Sequence, residues 1–98
     1  MEKHWKEVEI NFGTIRENTS KTIIFTALNT IPEIVDISAQ CGCTKPSYDK
    51  ENKLMSVKFN AGYIPKHLTT TQPVRKMITV TYKDGSQEIL FITGTKVK

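Results

Sequence analysis

The chain has 98 residues, 38% hydrophobic and 24% charged, with a formal net charge of +4. That length fits one domain, and the composition is globular, which excludes a disordered or low-complexity chain. The basic residues are scattered among acids, so no concentrated block marks a nucleic-acid surface. The opening stretch MEKHWKEVEINFG has no uninterrupted apolar run, so neither a secretory signal nor a transmembrane helix is expected there.

Alternation dominates the pattern. In VEINF, Val8, Ile10 and Phe12 lie two apart and predict a strand, which Gly13 and Thr14 then let the chain leave. KTIIFTALN predicts a second strand, with Ile23, Phe25 and Ala27 on one face and Thr22, Ile24, Thr26 and Leu28 on the other. After an Asn29-Thr30 turn and Pro32, EIVDIS predicts a short third strand. Its Ile34, Val35 and Ile37 alternate imperfectly, which points to a bulge or an edge irregularity.

AQCGCTKPSYDKENK reads as the connection to LMSVKFN, a fourth strand with Met55, Val57 and Phe59 facing inward. Residues 60–72 hold Gly62, Pro65 and three consecutive threonines. This length predicts a mobile or partner-binding loop or a further short edge strand. RKMITVTY and QEILFITGT are joined by Lys83-Asp84-Gly85-Ser86, a strong hairpin signal, with Ile78, Val80 and Tyr82 in one strand and Leu90 and Ile92 in the other.

Such strands are stable only when packed in sheets. The expected fold is therefore all-β, an immunoglobulin-like antiparallel β-sandwich, forming a single domain over residues 1–98 with an extended candidate interaction loop at 60–72.

The two cysteines, Cys41 and Cys43, flank Gly42. They supply half the ligands of a structural zinc, with His4 and His67 remote in sequence, although copper is satisfied by fewer soft donors. Thioredoxin-type redox pairs have two intervening residues and adjoin a helix, unlike this pair. Structural, inert thiols are the leading reading, with metal binding and reversible thiol chemistry as alternatives. Gly42 is expected to allow close backbone approach and Pro46 to stop β pairing. No nucleophile, base and orienting acid assemble into a motif, and no glycine-rich phosphate loop or carboxylate pair is present. No enzymatic activity, cofactor or metal is therefore expected.

Trp5, Tyr63 and Ile64 are candidate anchors of a protein interface, and Lys66 and His67 its polar rim. In the structural alternative, Trp5 covers a sheet edge while Tyr63 and Ile64 tuck the loop onto the core.

The ordered signals FGTI at 12–15, FTALNT at 25–30, CGCTKP at 41–46, VKFNAG at 57–62, KMITVTY at 76–82 and LFITGT at 90–95 cover most of the chain. This order resembles a bacterial immunoglobulin-like family of unknown function related to the ASPM-SPD-2-Hydin and major-sperm-protein domains. Cys41, Gly42, Cys43, Thr44 and Pro46 are its most distinctive part. The resemblance implies a non-enzymatic β-sandwich used within larger proteins or assemblies. The segment 60–72 is longer than the family's usual connection before the last hairpin, which directs attention to it.

The expected function is a non-catalytic structural or protein-interaction module, for instance a bacteriophage virion accessory or capsid decoration protein. The alternative is a soluble bacterial adaptor or assembly factor; nucleic-acid, thiol or metal binding is weaker. Its partner would be a protein or a larger assembly such as a viral capsid. Membrane insertion is not expected, and the location would be a virion or the cytoplasm.

Overall fold

A computed structural model describes residues 4–40, 42–66 and 71–98. They form the strands β1 (Glu9–Arg16), β2 (Ser20–Thr26), β3 (Ile34–Ala39), β4 (Thr44–Asp49), β5 (Leu54–Asn60), β6 (Thr71–Tyr82) and β7 (Gln87–Val97), with no helix among the described residues. One sheet has four strands in the order β1-β7-β6-β3, the other three in the order β2-β5-β4. The chain is an all-β sandwich. Pairing is antiparallel except at β1, which runs parallel to β7.

The core lies where the inner rows of the two sheets meet. Ile23 and Phe25 of β2 join Met55, Val57 and Phe59 of β5 against Ile78, Val80 and Tyr82 of β6 and Leu90 and Ile92 of β7. Each row has the period of two that puts alternate side chains on one face. Phe12 and Ile15 close one flank, and Phe12 packs on Phe59 with ring centroids 5.6 Å apart.

Two local expectations are corrected by the backbone. Gly13 does not end the first strand: at φ +82° it sits where the β1–β7 register shifts, and its N–H donates to Asn11 Oδ1 at 2.7 Å. Only glycine takes that conformation without strain, so the strand absorbs an irregularity and continues to Arg16. The connection after the cysteines contains a strand, β4. Pro46 lies within it, opposite Val57, instead of stopping the pairing. Cys43 O accepts from Asn60 N at 2.8 Å, and alternation from that pair turns Pro46 N toward the outer edge. An edge strand tolerates proline in that position.

The bulge expected in the third strand is present, as the β3–β6 register shifts between Ile34 and Asp36. The late hairpin turns at Gly85, φ +90°, with Asp84 Oδ1 accepting from both Ser86 N and Ser86 Oγ. β6 begins at Thr71, so the strand takes the last two residues of the expected loop.

Candidate interaction surface

Of the five residues expected at an interface, the structure separates those it describes. Trp5 is 1% exposed and Ile64 3% exposed, so both belong to the buried interior and neither offers an anchor on the surface. The correction has a local cause in each case. Residues 4–7 lie along the free edge of β2: Lys6 N–H donates to Thr26 O at 2.8 Å, Glu7 Oε1 accepts from Thr26 N at 3.1 Å, and Trp5 bridges Ala27. That pairing aims the indole inward, where its N–H donates to the Tyr82 hydroxyl at 2.9 Å and its rings meet Tyr48 edge-on.

Ile64 is drawn in because its N–H donates to Glu17 Oε1 at 2.9 Å, while Gly62 O accepts from Asn18 N at 3.3 Å and Ala61 N–H donates to Thr19 O at 2.8 Å. These bonds pin 61–64 to the β1–β2 turn. Tyr63 then stands outward, 68% exposed, and Lys66 is exposed near it in sequence. His67 and Cys41 lie outside the described residues.

Cys43 is disulfide-bonded. The expectation of inert thiols is corrected at this position, and a disulfide sulfur is not a thiolate donor for zinc or copper. With no S–H on Cys43, the buried Thr44 hydroxyl is the donor in their 3.6 Å contact. Gly42 is exposed, and a Cβ there would meet nothing within 4 Å, so no close approach demands glycine.

A polar cluster that the sequence did not reveal lies under the N-terminal segment. Tyr82 accepts from Trp5 and donates to Glu88 Oε1 at 2.7 Å, and His4 N–H donates to Glu88 Oε2 at 3.2 Å. The His4 ring stands edge-on to Tyr82, centroids 5.2 Å apart. Burial, reinforced by the Glu88 hydrogen bond, raises the Tyr82 phenol well above its ordinary range. Among the described residues, no three His, Cys, Asp or Glu side chains converge as a metal site.

The remaining feature is a cleft between the sheets at the edge strands β3 and β4. Ile31, Pro32, Ile34 and Tyr48 form its apolar lining, with Glu33, Lys50 and Lys53 around it, and it encloses about 340 Å³. It continues as a shallower groove along Ile34, Val35, Asp36 and Ile37, again against Tyr48. Val35 is 57% exposed because the bulge turns it out of the core row. The only sequence signal was the broken alternation of EIVDIS.

The fold and this surface define an all-β sandwich with apolar side chains exposed along a strand edge. No helix among the described residues is long and apolar enough to cross a membrane. The chain belongs to the family described as protein of unknown function (DUF1573), which matches residues 3–96. Comparison with curated proteins and with solved structures returns no match.

Proposed function

We propose that this protein is a non-catalytic structural or interaction module that works by associating with another protein. The observation that supports this reading is the β3–β4 side of the sandwich, where Val35 and the Ile31–Tyr48 cleft leave apolar surface beside an unpaired strand. Exposed apolar area next to free backbone donors and acceptors is costly in a solitary chain and useful in an assembly. Tyr63 and Lys66 supply a second exposed element, at the β5–β6 connection. We also propose kinship with immunoglobulin-like domains, because the chain crosses between the sheets at β1–β2, β2–β3, β3–β4 and β5–β6 and stays within one sheet at β4–β5 and β6–β7, giving the orders β1-β7-β6-β3 and β2-β5-β4.

A bacteriophage particle, with this domain as an accessory or decoration subunit, is one setting for such a module; a bacterial adaptor or assembly factor is the other. Neighbouring capsid, portal or tail genes favour the first, a cellular operon the second. The test is native purification from the source, with the mass and composition of the particle that carries the chain. Recovery in a defined complex is the expected result, and a monomer in every preparation overturns the reading.

A further inference from the structure

We propose that β3 is extended by one strand of a partner protein: a segment of alternating apolar residues with a carboxylate-bearing side chain at the end that meets Lys50 and Lys53. This rests on the association reading and names where it occurs and the chemistry of the occupant.

The four sheet edges are not equivalent. On β1, the Lys21 ammonium donates to Phe12 O at 2.7 Å and covers the edge. On β2, residues 4–7 already occupy the end of the strand. On β4, Pro46 presents no N–H to an incoming chain. Lysines, covering segments, prolines and bulges are among the means by which edges are closed to further pairing, and the β3 bulge is confined to Ile34–Asp36, at the end of the strand nearest the cleft. β3 carries none of them from Asp36 to Ala39, where it pairs with β6 without interruption. Gln40 N–H donates to Met77 O at 3.0 Å, so alternation turns the N–H and C=O groups of Ile37 and Ala39 away from β6 and toward the open side.

The surroundings specify the occupant. A strand added here would lie in the groove between β3 and Tyr48, and alternate side chains would reach Ile31, Pro32 and Ile34. The charge around the deeper end is asymmetric. Glu33 lies 3.7 Å from Lys83 and is offset by it, whereas Lys50 and Lys53 make no ion pair among the described residues; the Lys53 ammonium donates to Asn29 O at 3.3 Å and keeps its charge and further N–H groups for an incoming carboxylate. At the other end, the exposed Asp36 disfavours a second acid. An apolar segment with its acid at the lysine end matches both.

The test is panning of a random-peptide display library against the full chain, with amide hydrogen exchange to locate the peptides selected. Peptides with alternating apolar residues and an acid at one end are expected. They should slow exchange at Ile37 and Ala39 and bind at least about tenfold more weakly to the Lys50→Glu, Lys53→Glu chain. Absence of enrichment, a basic consensus, protection at Tyr63 instead of β3, or β3 protection through self-association of the chain would each overturn the proposal. A native complex left intact by Val35→Lys and Lys50→Glu sinks this inference and leaves the association reading standing. A chain that is always monomeric sinks the reading itself.

Discussion

Tyr82 and Trp5 are joined by a buried hydrogen bond of 2.9 Å, and the same phenol donates to Glu88 at 2.7 Å. The pair ties the N-terminal segment to the β6–β7 hairpin, elements far apart in sequence. Replacing Tyr82 with Phe would keep the ring and leave the indole N–H buried without an acceptor. Loss of that bond and of the one to a carboxylate is expected to cost about 3 kcal/mol. Urea unfolding should show a lower midpoint with an unchanged slope.

The same phenol sets an alkaline limit. Burial first, then the bond to Glu88, raise Tyr82 above its ordinary value of 10.0. The folded state therefore keeps its proton where the unfolded chain has lost it. The resulting stabilisation is fully present below pH 10.0 and declines above it until the folded phenol ionises. Unfolding measured from neutral pH upward should show the wild-type chain losing stability faster than Tyr82→Phe. Parallel curves would refute the linkage.

The inner rows were legible because a strand repeats every two residues: Ile23 and Phe25, Met55 to Phe59, Ile78 to Tyr82, and Leu90 with Ile92 all face the core. β4 was not, because TKPSYD contains a proline and little apolar alternation, and its strand character comes from pairing with β5. For Trp5 the sequence leaves a surface anchor and a cover for a sheet edge both open, since a single aromatic among charges has no periodicity, and the residue 4–7 pairing along β2 decides for the edge. The β3–β4 groove was out of reach for a related reason. Val35 matters only because the sheet order leaves β3 at an edge, and sheet order is a long-range property.

Lys45 and Lys58 lie directly opposite each other on adjacent strands, and neither has an ion pair among the described residues. Like charges in that relation repel. Lys58→Thr removes the repulsion and adds a β-branched residue to a strand, so a gain of roughly 0.2–1 kcal/mol is expected. The gain should shrink at high salt, where exposed charges are screened. Thermal unfolding at low and high ionic strength provides the comparison, and a destabilised variant would contradict the argument.

Gly94 faces Phe12 closely enough that a Cβ would collide with the aromatic ring and with the Gly13 carbonyl. Here glycine is required by space, since the parallel β1–β7 contact brings a core ring onto the backbone. Phe12 is itself packed on Phe59 and has limited room to retreat. Gly94→Ala is expected to cost about 1–3 kcal/mol through overpacking. Phe12→Leu in the same chain should recover part of that loss, because it removes the ring that the new methyl strikes. Additive effects in the double-mutant cycle would show that the two sites do not touch.

Tyr63 and Ile64 are neighbours with opposite surroundings, one 68% and the other 3% exposed. Ile64 is buried where Glu17 holds its amide, so Ile64→Ala should leave a cavity and cost about 2–4 kcal/mol. Tyr63→Ser removes a ring that makes no such contribution, and its unfolding midpoint should stay within about 0.5 kcal/mol of the wild type. The pair separates fold from recognition within one connection. If Tyr63 belongs to a contact surface, Tyr63→Ser will weaken the native complex at unchanged stability, which pull-down alongside unfolding would register. Equal stability losses in the two variants would mean that Tyr63 is packed in solution and that this connection is wholly structural.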